Sequence, residues 1–124
     1  MTQDYYGTKR ITAWEQDRDG KPGYAVKYKD GYISWSPKET FEEAYQPITA
    51  MYFSSALVAL KDGLSVSRAG WNGKGMWLEL FRSQGGTYKS RPLGDHIMMA
   101  TADGKYVPWL CSQTDALADD WMIV

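Results

Sequence analysis

The segment 70–75 reads Gly-Trp-Asn-Gly-Lys-Gly and holds the residues best suited to contact a small anionic ligand. Its three glycines let backbone N–H groups approach a ligand closely, and Lys74 adds one positive charge. The segment is not a Walker phosphate loop, because the spacing to the lysine differs and no Ser or Thr follows it. The pattern therefore predicts either a binding loop around Asn72 and Gly73 or a tight hairpin turn with Trp71 in the core.

Two tryptophans near these polar groups are candidates to stack on a nucleobase. Trp71 lies in the glycine-rich segment, and Trp109 comes shortly before a polar run. Stacking a base on an aromatic ring contributes about 1–3 kcal/mol and tolerates any base. Packing in the core is the commoner fate of tryptophan and stays open for both. Met76 is expected to line the same site, Trp77 to lie in the core or an interface, and Trp121 to lie in the core.

The polar run after Trp109 offers hydrogen bonds that could orient a stacked base. Ser112 is either the N-cap of a last helix or, with Gln113, part of a helix N-terminus whose free amides could hold a phosphate. Asp115 could accept hydrogen bonds from ribose hydroxyls or an adenine amino group. Asn72 has both a donor and an acceptor for a base edge.

Charged residues complete the predicted site without suggesting catalysis. Arg68 is the preferred partner of a pyrophosphate, because it lies just before the glycine-rich segment and arginine can bind in a bidentate way. Asp119 and Asp120 are expected to face solvent. One cysteine and one histidine exclude a Cys₄ or Cys₂His₂ zinc site within one chain. With no carboxylate pair, Ser–His–Asp order or metal cluster, we expect no enzymatic activity, metal or cofactor.

Composition limits the class of protein further. The 124 residues, 44% apolar and 23% charged, suit one compact domain or a small core with an added module. A net charge of −1 argues against binding to DNA or RNA polymers but not against one nucleotide in a pocket. No apolar run approaches the roughly 20 residues of a membrane helix, and the N-terminus lacks the apolar segment of a secretory signal. We therefore expect a cytoplasmic protein that contacts no membrane.

The order of the predicted strands and helices indicates an α+β fold, with a small antiparallel β-sheet core and three short helices. In residues 1–50 the predicted elements are strands at 8–16, 24–29 and 32–35 and a helix at 36–46. Asp30 and Gly31 predict a hairpin turn between the second and third strands. Ser36 and Glu39 predict a capping box at the start of the helix.

A second unit is predicted at 51–124. Its predicted elements are helices at 54–62 and 112–119 and strands at 64–68, 76–82, 96–101, 105–109 and 121–124. Gly63 is expected to end the first of these helices as its C′ residue. A long polar loop is expected at 83–95.

Three separated motifs in the second unit resemble the Thoeris anti-defence two family of small phage proteins and occur in the family's order. The first is the glycine-rich segment through Met76. The others are Ala102-Asp103-Gly104 with Val107-Pro108-Trp109-Leu110, and Ser112-Gln113-Thr114-Asp115 with Asp119-Asp120-Trp121. Residues 1–50 depart from the minimal family member and resemble a short N-terminal module, a hairpin plus a helix, that recurs in small phage proteins.

The resemblance implies a function for 51–124. The domain would bind and sequester the cyclic ADP-ribose-type messenger of the Thoeris defence, glycocyclic ADP-ribose, in the host bacterial cytoplasm without cleaving it. Some relatives also hold the cyclic dinucleotides of the CBASS defence. Family members assemble as homotetramers with ligand pockets at subunit interfaces, so the implied partners are a cyclic nucleotide messenger and further copies of the chain.

Two other functions stay open from the residues themselves. A phosphodiesterase or lyase could degrade the same messengers, with His96 and Asp95, or Lys89, in acid/base roles. A phage structural or interaction protein could instead use its aromatic residues as a protein interface.

Overall fold

The computed structural model describes residues 1–71 and 75–124 and divides into two compact units, Met1–Gln46 and Pro47–Val124. The predicted α+β class is confirmed, since the described residues combine antiparallel strands with three α-helices. The first unit contains β1 (Thr12–Glu15), β2 (Gly23–Lys27), β3 (Ile33–Pro37) and α1 (Lys38–Ala44). None of the helices in these two ranges has the length and apolar character needed to cross a bilayer.

The first unit is an antiparallel sheet in the order β1-β2-β3 with α1 on one face. The turn between β2 and β3 lies where the sequence predicts it. There Gly31 has a φ of 89°, and the Oδ1 of Asp30 accepts a 3.0 Å hydrogen bond from the Tyr32 N–H. The helix is anchored by Phe41, whose ring stacks on that of Tyr24 with centroids 4.1 Å apart.

Two predictions for the first unit are wrong in detail. The first strand covers only Thr12–Glu15, because its register with β2 begins at Thr12 and ends at Glu15. Ser36 does not cap α1: it lies in β3 and pairs with Tyr24, while the N-cap is Pro37, which makes no side-chain cap. Pairing with β2 keeps the backbone extended through Pro37, so α1 begins without a capping box.

The second unit contains α2 (Phe53–Lys61), β4 (Val66–Arg68), a 3₁₀ turn (Ala69–Trp71), β5 (Trp77–Phe81), β6 (Thr87–Tyr88), β7 (Arg91–Pro92), β8 (His96–Ala100), β9 (Tyr106–Pro108), α3 (Gln113–Ala116) and β10 (Trp121–Ile123). Five of the strands form an antiparallel sheet in the order β10-β4-β5-β8-β9. One face packs on α2, and the core lies between them. Its buried residues are Met51, Ala56, Ala59, Leu60, Val66, Leu78 and Trp121, which confirms the expected core position of Trp121.

The expected polar loop at 83–95 holds a short hairpin of β6 and β7 that the sequence did not predict. Its turn residues, Lys89 and Ser90, have φ angles of 49° and 66°. Hairpins usually obtain this left-handed conformation from Asn-Gly or Asp-Gly. Because Lys-Ser carries no such signal, the turn could not be recognised.

Gly63 ends α2 as predicted. Its φ is 85°, its N–H donates to the Leu60 carbonyl at 3.0 Å, and the Leu64 N–H donates to the Ala59 carbonyl at 3.0 Å. These two bonds are the Schellman motif. No atom lies within 4 Å of a Cβ added at Gly63, so a side chain there would cost only backbone strain.

We therefore expect Gly63→Ala to lower the free energy of unfolding by about 1–2 kcal/mol, the cost of a left-handed conformation for an L residue. Urea denaturation measures this loss. Gly63→Asn is the matched control, because asparagine tolerates this conformation better. Equal losses in the two variants would contradict backbone strain as the cause.

Candidate functional site

A cavity of about 330 Å³ opens beside the 3₁₀ turn that follows β4. Three predicted site residues, Arg68, Trp71 and Met76, line it. Its other lining residues are Ser67, Ala69, Gly75, Trp77, Met122 and Val124. The hydroxyl of Ser67 donates a 2.8 Å hydrogen bond to the Met76 carbonyl, which ties the start of β5 to β4. The cavity therefore has a partly rigid, mostly apolar wall with an aromatic ring at its edge.

Four aromatic rings meet behind this cavity. Trp121 is fully buried and lies at the centre. The rings of Trp71 and Trp109 meet it edge-on, with centroids 5.4 Å and 6.0 Å away, and Phe53 packs against it at 5.2 Å. Both candidate stacking residues are half-buried, but only Trp71 lines the cavity. The structure thus places Trp71 at the cavity and Trp109 on another side of Trp121.

Arg68 is held by two carboxylates. Its Nη1 lies 2.7 Å from Oδ1 of Asp115, and its Nε lies 2.8 Å from Oδ1 of Asp120. The second oxygen of Asp120 also accepts a 2.9 Å hydrogen bond from the Gly70 N–H. We call Arg68, Asp115 and Asp120 the arginine cluster. Its single positive charge is outnumbered by two negative ones, so Arg68 is committed within the protein rather than free to neutralise a phosphate.

The expectation that Asp120 faces solvent is wrong. Its side chain is 30% exposed and binds both Arg68 and the turn that leads to Trp71. The hydrogen bond from Arg68 and the one from the Gly70 N–H hold the pKa of Asp120 below its usual value. The two carboxylates in turn raise the pKa of Arg68. Both shifts favour the charged forms of Asp120 and Arg68.

The lowered pKa of Asp120 predicts a loss of stability in acid. A carboxylate whose pKa is lower in the folded than in the unfolded chain stabilises the fold above its unfolded pKa of about 3.9. That contribution is lost as pH falls through the folded pKa. We expect Asp120→Asn to cost about 1–2 kcal/mol at pH 7, and progressively less as pH falls below about 3.9, in urea denaturation at each pH. The matched control is Asp119→Asn, because Asp119 is the exposed neighbour. If Asp120→Asn lowers the free energy of unfolding equally at every pH, the lowered pKa of Asp120 is not the cause.

The last helix supports the arginine cluster. Ser112 is its N-cap, and the Ser112 hydroxyl accepts a 3.0 Å hydrogen bond from the Asp115 N–H. The Asp115 carbonyl accepts a 2.9 Å bond from the indole N–H of Trp121. Gln113 begins α3 and is exposed, outside the cavity lining. Ser112 and Asp115 therefore have structural partners, and α3 is a single turn.

Three predicted site residues, Asn72, Gly73 and Lys74, lie outside the described residues. Sequence reasoning also missed contributors to the cavity, chiefly Met122 and Val124. Both alternate with buried Trp121 along the last strand, so the period of two could have placed them on the opposite face. Cys111, the single cysteine, is exposed. The parts of the chain before and after 72–74 contain no group of three or more His, Cys, Asp and Glu arranged to hold a metal ion.

Comparison with known proteins links this site to one family. Residues 51–124 match the sequence model described as Tad2-like, Thoeris anti-defense 2-like domain. A similar curated protein is Thoeris anti-defense 2 of Bacillus phage SP01, 45% identical over 86 residues, which cover 61% of this chain and 97% of the relative. The matched segment contains the cavity, the arginine cluster and the aromatic residues around Trp121.

Proposed function

Because the chain belongs to the Thoeris anti-defense 2-like family and thus has a phage anti-defence role, we propose that it captures a cyclic nucleotide messenger in the host cytoplasm and leaves it intact. The proposed ligand is a cyclic ADP-ribose isomer, glycocyclic ADP-ribose, and possible further ligands are cyclic dinucleotides. The observation that carries this proposal is the cavity edged by Trp71. It lies within the segment shared with the family and joins an apolar wall to an aromatic ring.

The cavity chemistry suits a base better than a phosphate. Trp71 is half-buried, and its indole is fixed by the edge contact with Trp121. A fixed ring stacks on a base with little loss of side-chain freedom. Arg68, the preferred phosphate partner in the sequence, is held by Asp115 and Asp120. We therefore assign Arg68 the role of positioning the turn before Trp71.

The size of the cavity favours assembly of several copies. Its volume of about 330 Å³ lies at the lower end of the roughly 300–1,000 Å³ of ligand pockets. A cyclic ADP-ribose isomer, with one adenine, two riboses and a pyrophosphate, would extend beyond it. A second copy facing the opening would add contacts to the messenger, and we propose a homo-oligomer, a tetramer by resemblance to the family.

Capture and cleavage are distinguished by whether the messenger is recovered from the protein intact or as fragments. The protein is incubated with glycocyclic ADP-ribose, filtered, and then denatured by heat. We expect the messenger to disappear from the filtrate and to reappear intact after heating, in fixed proportion to protein. Fragments that accumulate when messenger is in excess would instead identify a phosphodiesterase or lyase.

A thermal-shift measurement separates capture from a purely structural role. A ligand at a hundred times its Kd stabilises the folded state by about 2.7 kcal/mol, which is a clear rise in Tm for a unit of this size. Cyclic ADP-ribose isomers and cyclic dinucleotides form the test panel, and native mass gives the number of copies. An unchanged Tm across the panel would favour a structural or interaction protein.

A further inference from the structure

The first unit leaves one face of its sheet without a covering element. Strand register places Thr12, Trp14, Ala25, Lys27, Ile33 and Trp35 on that face, which we call the tryptophan face. Tyr24 alternates with Ala25 and points to the other side, where Phe41 of α1 stacks on it. The helix therefore covers only the face opposite the tryptophans.

The indoles of the tryptophan face are held in place. Trp35 lies over Gly23, where an added Cβ would clash with its ring, and its N–H donates to the Gln16 carbonyl at 2.7 Å. The Trp14 N–H donates to the Gln16 side chain at 3.2 Å. Ala25, between the two rings, is only 2% exposed. The surface is thus preorganised, which lowers the entropic cost of binding.

The same face offers apolar area to a partner. Trp14 is 43% exposed and Ile33 is 53% exposed. Contiguous exposed apolar groups rimmed by polar ones are typical of interaction sites, and tryptophan is enriched at the centre of such sites. Trp14 and Ile33 lie diagonally across β2, so each could receive a different apolar side chain of one extended partner segment.

The two charged groups that ring contact and strand register place on this face are positive, although Asp17 and Asp19 flank Arg18 in the chain. Arg18 stands with its guanidinium carbon 5.7 Å from the centroid of the Trp35 ring, and Lys27 extends from β2. Among the described residues no carboxylate lies within ion-pair distance of either cation. The strand residues of the tryptophan face include no acid, whereas α1, on the other side, carries Glu39, Glu42 and Glu43. Such a surface is complementary to a negatively charged partner.

From these observations we propose that the tryptophan face binds an acidic polypeptide segment. A carboxylate of the segment pairs with Arg18, whose planar group suits bidentate contact, and neighbouring apolar side chains of the segment pack against Trp14 and Ile33. A nucleobase fits less well, because stacking on Trp35 would compete with the guanidinium of Arg18. The site lies in the unit outside the family match and does not depend on messenger capture.

A labelled peptide in which glutamate alternates with leucine and serine tests the proposal on the full chain. We expect it to bind, to shift the NMR signals of the Trp14 and Trp35 indole N–H groups, and to leave the Trp121 signal in place. Arg18→Glu should weaken binding about tenfold or more, as expected for loss of a charged contact and introduction of repulsion. Lys38→Glu makes the same change of charge in α1 and should leave the affinity within about twofold.

Several results would overturn the proposal. Absence of peptide binding is one, and equal binding of a peptide with lysine in place of glutamate is another. Binding of oligo-dT alone would identify a nucleic-acid surface, and indole shifts that depend only on protein concentration would identify a second copy of the chain. Arg18 is exposed and pairs with Lys21 through backbone hydrogen bonds, so Arg18→Glu should keep the fold and lose only the small contribution of its contact with Trp35. Trp14→Ala provides a second variant if Arg18→Glu unfolds.

Discussion

Replacement of Trp121 by alanine is expected to lower the free energy of unfolding of the second unit by about 3–5 kcal/mol. The side chain is fully buried, and three aromatic rings pack against it. Its indole N–H also donates to the Asp115 carbonyl, so truncation leaves that acceptor without its partner. A loss of this size approaches the whole stability of a small domain. Calorimetry and urea denaturation measure it.

Leu117→Ala is the control for this experiment. Leu117 is 83% exposed, so its truncation should change the stability by no more than about 0.5 kcal/mol. Trp121→Phe keeps a ring in the centre of the cluster and should cost less than the alanine variant. A wild-type Tm for Trp121→Ala would show that the rings around it do not form the core of the unit.

Truncation of Trp71 is expected to weaken messenger binding by about 1–3 kcal/mol, or roughly 5- to 150-fold in Kd. Trp71 and Trp77 both line the cavity, and we assign base stacking to Trp71 because its ring is fixed by contact with Trp121. Isothermal titration of Trp71→Ala with glycocyclic ADP-ribose measures the loss. Trp71→Phe retains a ring and should recover most of the affinity.

Trp109→Ala is the informative comparison. Trp109 also packs on Trp121, but it does not line the cavity. Both alanine variants should therefore lose some stability, whereas only Trp71→Ala should lose most of its affinity. A larger loss of affinity in Trp109→Ala would place the stacking surface elsewhere and contradict the assignment to this cavity.

The features that the sequence predicted correctly depend on local chemistry. Gly63 ends α2 because the left-handed position after the helix favours glycine, and this needs no knowledge of distant residues. Asp30 and Gly31 form their turn for a similar reason. The buried position of Trp121 follows from a short apolar strand near the end of the chain.

The features that the sequence could not predict depend on distant partners. Arg68 forms ion pairs with Asp115 and Asp120, which lie 47 and 52 residues further along the chain. The sequence alone therefore does not show that its charge is paired. Ser36 looked like a helix cap until its pairing with Tyr24 placed it in a strand. The same holds for the site, where the sequence selected Arg68, Trp71 and Met76 but could not show which groups Arg68 binds.

The pairing of Met51 with Trp121 has a consequence for how this domain combines with others. The two residues exchange backbone hydrogen bonds of 2.6 Å and 3.1 Å, and the Ile123 N–H donates to the Ile48 carbonyl at 3.0 Å. The points where the chain enters and leaves the second unit are therefore neighbours at one edge of its sheet. Adjacent termini let a domain accept a fused module, insertion into another protein, or circular permutation through a short linker without rerouting its interior. The second unit of this protein can therefore accept an added segment, such as Met1–Gln46, without a change to its core.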